Sequence, residues 1–171
     1  MGDARASIIV GIDPGTAVTG FAVVRARGNR ITAAAWGCWR TKPADAIGHR
    51  LAGLVAQLDT LLEEWSPDAL ALEQAFFGKN VQSALRLGEA RGALLAAAAR
   101  RDVDVVEYPT ASVKKRVVGN GRADKTQVQF MLQRLLHLEE PPRPLDASDA
   151  LALAYALACD RAWLGASGVG P

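Results

Sequence analysis

The sequence has few of the residues that staple small secreted domains or build soft-metal centres. Its two cysteines, Cys38 and Cys159, stand far apart, with no CxxC pair and no Cys/His metal spacing. That excludes a disulfide framework and a zinc knuckle, and it fits the reducing cytoplasm with both thiols in the core. The two histidines, His49 and His137, fall in helical stretches without acidic or cysteine partners, so they are expected on the surface or at helix ends. Aromatics are scarce, and Trp36, Trp39, Trp65 and Trp163 read as anchors of the core. No apolar run approaches the ~20 residues needed to span a bilayer; the longest, Ala150 to Cys159, includes a tyrosine. Met1 to Ser7 carries no signal-peptide core, and Ala6 breaks the myristoylation pattern, so a soluble chain with no membrane partner is expected. The net charge of +2 is too small by itself to imply nucleic acid, which leaves its distribution as the informative quantity.

What is present suffices for one core. The 171 residues are 50% hydrophobic, and a chain of this size hides roughly 70% of its unfolded surface without any staple. A single domain over 1–164 with a flexible tail over 165–171 is the expected organisation. Ser7 to Asp13, Gly20 to Arg25 and Ile31 to Thr41 read as an antiparallel meander, with Gly28-Asn29 as the second turn. Ile47, Leu51, Leu54, Val55, Leu58, Leu61 and Leu62 mark one face of a helix from Ala44 to Trp65, which Ser66-Pro67 stops. Ala69 to Gln74 reads as a buried parallel strand, Asn80 to Arg101 as a helix capped by Asn80, and Val103 to Tyr108 as a fifth strand. A short helix from Thr110, a Gly119-Asn120-Gly121 loop, a helix from Ala123 to His137, a Pro-rich connector and a helix from Asp146 to about Trp163 complete the chain. This order implies an α/β fold with a mixed five-stranded sheet, three antiparallel strands then two parallel, flanked by helices. Gly88 and Gly92 each cost ~1 kcal/mol inside a helix, which points to another backbone close to that face.

Acidic residues stand at places that call for an account. Asp13 ends the first strand before a Pro-Gly turn, Glu73 ends the fourth, and Asp146 and Asp149 open the last helix. Turn and cap roles are ordinary for Asp13, Asp146 and Asp149. Glu73 resists such a reading, because an unpaired carboxylate in a buried strand costs several kcal/mol. A right-handed crossover makes the first and fourth strands neighbours, which brings Asp13 to Glu73, and ligands gather at the ends of parallel strands. Converging carboxylates repel one another unless a cation compensates. Oxygen donors without His or Cys suit Mg²⁺ or Mn²⁺, and two such ions about 4 Å apart can hydrolyse a phosphodiester.

The stretches "GIDPGTAVTG", "ALEQAFFGKN", "SALRLGEARG", "VVGNGRADKTQVQFM" and "DASDALALAYA" cover most of Ile8 to Ala156 and resemble the Holliday-junction resolvase family RuvC, within the ribonuclease H-like superfamily, in order and spacing. The resemblance implies a ribonuclease H-like fold and a catalytic, metal-binding set at Asp13, Glu73, Asp146 and Asp149. It implies a homodimer that nicks a four-way junction symmetrically, in recombination and repair, alongside a branch-migration motor of the RuvA and RuvB type. Some relatives carry His at the position of Asp146, which implies water or metal positioning there.

Basic residues cluster at Lys114, Lys115, Arg116, Arg122 and Lys125, around the Gly-Asn-Gly loop, with Asp124 opposing them. A solvated helix face is the ordinary account of such a run; beside an acidic centre it also reaches DNA phosphates. The resemblance matches Lys114 and Lys125 to residues that contact DNA and support catalysis, and Phe76 to a residue that wedges or stacks at the crossover. Lys79 and Asn80, in the same loop, join the expected DNA contacts. Two other readings stay open. Actin-like ATPases share the strand, Asp, Gly and Thr of the opening but need a second similar domain, and a non-catalytic junction-binding protein would have no use for all four acids.

Overall fold

A computed structural model describes residues 5–74 and 80–167. Strands β1 (Ser7–Asp13), β2 (Val18–Arg27) and β3 (Arg30–Arg40) form the antiparallel meander. Helix α1 (Ile47–Trp65) crosses to β4 (Ala69–Glu73), and α2 (Val81–Arg100) crosses to β5 (Val105–Tyr108). Helices α3 (Thr110–Val118), α4 (Lys125–Leu135) and α5 (Leu145–Ser167) follow. The sheet order is β3-β2-β1-β4-β5, with β4 parallel to both β1 and β5. The expected architecture therefore stands.

Local chemistry sets the boundaries. Leu54, Leu58, Leu61 and Leu62 bury one stripe of α1, and Ser66 ends the helix in the left-handed region at φ 44°, its N–H bonded to the Leu62 carbonyl. Asn80 caps α2 by accepting from the Ser83 N–H at 3.1 Å. Asp124 caps α4 in a reciprocal box with Gln127, so this acid in the basic cluster also has a backbone role.

Strand parity decides what faces what. Val10 and Ile12 of β1 pack with Leu70 and Leu72 of β4 against α1 and α2. The alternate residues Ile9, Ala69 and Ala71 pack with α3, α4 and α5. A Cβ on Gly11 would lie 2.1 Å from the Ala150 carbonyl oxygen, and one on Gly20 would lie 2.0 Å from that of Asp146. These two bare positions on β1 and β2 let the alanine-rich α5 rest directly on the sheet. Asp13 and Glu73 follow the same parity and so end their strands on the face that α5 covers.

Some expectations need correction. Trp36 lies on the outer strand β3 and is 38% exposed, and Trp163 is 66% exposed because α5 runs on past its last buried residue, Ala158. Both cysteines are free and half-buried rather than fully interior. No other element among the described residues comes within 4 Å of a Cβ placed on Gly88 or Gly92, so none of them packs its backbone there. Helix α5 extends to Ser167, into the expected tail, and 168–171 lie outside the described residues.

Candidate active site

The strand register delivers the first two acids. The last paired residues of β1 and β4 are Ile12 and Leu72, so Asp13 and Glu73 leave neighbouring parallel strands side by side. Asp149, in the second turn of α5, meets them from above. All three line a cavity of about 210 Å³ together with Thr110, Lys114, Lys125 and apolar walls from Val113, Val128, Ala152 and Leu153. Asp146 does not line the cavity. It sits half-buried at the start of α5, where its charge still acts on Asp13 and on the Cys38 thiol.

Electrostatics match the crowding. Burial, then the charges of Glu73 and Asp149, push Asp13 up from 3.8 to about 8, and it shares a hydrogen bond with Glu73. Asp149 is also raised: burial outweighs the bond from Lys125 Nζ, which lies 2.6 Å from Oδ2. The same contact raises Lys125. A carboxyl that keeps its proton to about pH 8 makes the folded chain bind a proton that the unfolded chain releases above about pH 4. The contribution of Asp13 to stability is therefore fully present below that lower value and is lost as pH rises through about 8. In chelator, the melting temperature should fall between pH 5 and pH 8, and Mn²⁺ should recover it at pH 8; a profile flat in pH and blind to Mn²⁺ would contradict the geometry.

The donor set fits a hard divalent cation: carboxylate oxygens only, too closely packed to ionise together without compensation. Among the described residues no three His, Cys, Asp or Glu side chains already surround a common metal position. Two of the acids hold internal partners, with Lys125 on Asp149 and Thr110 on Glu73 Oε1 at 2.7 Å.

The remaining expected residues divide. Lys114 and Lys125 join the cavity. Lys115 and Arg116 line a separate groove with Tyr108, Ser112 and Asp160, where Arg116 pairs with Asp160 and Tyr108 donates to that carboxylate at 2.7 Å. Arg122 is exposed in the loop, and Asn80 spends its side-chain oxygen on the α2 cap. Phe76 and Lys79 lie outside the described residues. Sequence reasoning missed Thr110 and Arg91, which bond Glu73 from α3 and α2. Only Arg91, the second arginine in "SALRLGEARG", offered a signal, since a cation beside the packed residues Ala90 and Leu94 needs an acceptor nearby.

The family model described as crossover junction endodeoxyribonuclease RuvC matches residues 9–157. The chain is 44% identical over 156 residues to a curated protein of that name from Heliobacterium modesticaldum, covering 91% of this chain and 96% of that one. It is 46% identical to another from Moorella thermoacetica, over 91% and 93% of the two chains. A solved structure of T. thermophilus RuvC in complex with Holliday junction substrate superposes with a TM-score of 0.87 at 32% identity, covering 92% of this chain and 96% of that one. The yeast mitochondrial Holliday junction resolvase Ydc2 shares the fold, with a TM-score of 0.66 at 14% identity and coverage of 96% and 85%.

Proposed function

The chain belongs to the crossover junction endodeoxyribonuclease RuvC family, and we propose that the cavity between β1, β4 and α5 is where it cuts DNA. It is a Holliday-junction resolvase, an endonuclease that hydrolyses phosphodiester bonds at four-way junctions in recombination and repair. The observation that carries the site assignment is the convergence of Asp13, Glu73 and Asp149 on one cavity, where burial and the neighbouring acids hold Asp13 mostly protonated at neutral pH.

In this reading Asp13, Glu73 and Asp149 would hold two Mg²⁺ or Mn²⁺ ions, with Asp146 positioning water or metal from the start of α5. When bound, such ions activate water and neutralise the leaving oxygen. Lys114 projects into the same cavity and offsets the negative charge that builds on the phosphoryl oxygens. Lys125 holds the Asp149 carboxylate in place at the cavity wall. Lys115 and Arg122 contact phosphates outside the cavity, and Phe76, Lys79 and Asn80 are further DNA contacts in this reading. Arg116 serves first to fasten α3 to α5 through Asp160.

A second copy of the chain fits the outer face of α2. Val81 is 72% and Leu85 64% exposed, and they share their helix face with the open Gly88 and Gly92. A two-fold dimer through that face places two sites on opposed strands of a two-fold junction. Partnership with a branch-migration motor of the RuvA and RuvB type, and a cytoplasmic location, complete the proposal. Among the described residues no helix is long and apolar enough to cross a membrane.

The test is a synthetic four-way junction against a linear duplex of the same sequence. With Mg²⁺, paired nicks on opposed strands of the junction are expected, and none in chelator; equal cutting of the duplex, or cutting in chelator, contradicts the reading. Lys115→Ala and Arg122→Ala should each lower the slope of log affinity against log salt by about 0.9 and leave specificity unchanged. Unaltered slopes would remove these residues from the interface.

A further inference from the structure

Two side chains from different helices meet at Glu73. Arg91 of α2 donates from Nε to the Glu73 carbonyl at 3.0 Å and pairs with Glu107 at 2.5 Å, its own side chain only 15% exposed. Glu107 is the β5 residue paired with Leu72, so this one guanidinium ties the ends of β4 and β5 to α2. With the main chain held, the freedom left to Glu73 is in its side-chain torsions. Thr110 acts on those, its hydroxyl donating to Oε1 at 2.7 Å.

That hydroxyl is not needed by its own helix. Helix α3 begins without a side-chain cap, and the N–H groups of Ser112 and Val113 bond the Pro109 carbonyl. A β-branched residue in a helix gives up some propensity, and here no capping bond offsets it. Among the described residues, its side-chain acceptor is the Glu73 carboxylate.

We propose that Thr110 is a positioning residue for Glu73: by occupying Oε1 it fixes the carboxylate rotamer and leaves Oε2 as the oxygen offered to a divalent ion beside Asp13. The inference rests on reading the cavity as the cleavage site. It predicts that Thr110 sets how well Glu73 binds the ion, at the scale of about tenfold that residues behind a ligand commonly have.

The test uses the full-length chain with Thr110→Val, which keeps the shape and removes the hydroxyl, and Thr110→Ser, which keeps the hydroxyl. Mn²⁺ binding is followed by the paramagnetic resonance signal of the free ion, without DNA, and single-turnover cleavage is measured at saturating junction. Thr110→Val is expected to weaken Mn²⁺ binding and to slow cleavage by about tenfold each, with junction affinity in chelator unchanged. Thr110→Ser is expected to stay within about twofold of the parent on both. Wild-type Mn²⁺ affinity in Thr110→Val overturns the inference, and so does a serine variant as impaired as the valine one, because the loss would then belong to packing at the start of α3. Asp13→Asn separates the two levels. If it still cuts, the cavity is not the cleavage site; if it is inactive while Thr110→Val binds Mn²⁺ normally, only the role of Thr110 falls.

Discussion

Asp13→Asn is expected to bind a four-way junction as the parent does and to cut it at least about a thousandfold more slowly, a barrier increase of about 4 kcal/mol. Asparagine keeps the size and one carbonyl oxygen of the side chain but cannot carry negative charge, so it cannot help neutralise a divalent ion. The same change removes the electrostatic cost of the site. Burial and the neighbouring charges of Glu73 and Asp149 hold Asp13 protonated to about pH 8. A permanently neutral amide relieves that crowding, so at pH 8 in chelator the variant should melt about 4–8 °C higher than the parent, about 2 kcal/mol for a chain of this length. Activity and stability moving in opposite directions is the mark of a residue kept for chemistry at a cost to the fold. A variant that cuts normally, or that loses stability along with cleavage, would contradict this role.

Gly11→Ala is expected to cost about 3 kcal/mol or more and to abolish cleavage with it. The new Cβ would stand 2.1 Å from the Ala150 carbonyl oxygen and 2.7 Å from the Ala154 nitrogen, both backbone atoms of the buried helix α5. Neither can move aside alone, so the helix must lift from the sheet. Asp149 rides on that helix one residue before Ala150, and lifting it opens the cavity it closes over β1 and β4. The contrasting change is Gly53→Ala in α1, where nothing lies within 4 Å of the added atom. There the gain in helix propensity should stabilise the chain by about 0.5–1 kcal/mol without touching cleavage. Melting curves and junction cutting on the two variants decide the matter, and equal stabilities would contradict the seating of α5 on β1.

The legible parts of the site were those with a local or periodic signal. Strand β1 announces itself by its apolar run, and Glu73 by interrupting one. Their meeting followed from the handedness of the crossover between β1 and β4, and the β1–β4 register places them side by side. Asp149 joins them in the sequence only through the family resemblance, since nothing local marks which way the last helix faces. Asp146 is the instructive difference: three residues away on the same helix, it stands outside the cavity wall while still raising Asp13. Helical spacing fixes which side of a helix two residues share, but not how deep each one sits.

Other features had no local signal. Thr110 and Glu73 are 37 residues apart, and Arg116 and Asp160 are 44 apart, so only the packing of α3 against the sheet and α5 brings either pair together. The Asp124 cap was legible in "ADKTQ", where an acid precedes Gln by three residues, yet the basic neighbours drew attention to its charge and away from its role at the helix start. Trp36 and Trp163 read as core by their size, but one lies on the outermost strand and the other beyond the sheet. Bulk predicts burial only where a partner surface exists.

The most direct measurement is the position of manganese by its anomalous scattering in crystals of the full chain. Carboxylates that crowd one pocket until one of them must hold a proton should exchange that proton for an ion. The expected peak lies within ligand distance of Asp13, Glu73 and Asp149, with Lys125 withdrawn from Asp149. Saturating manganese that leaves the cavity empty, with the Lys125 contact intact, would contradict the account at its root.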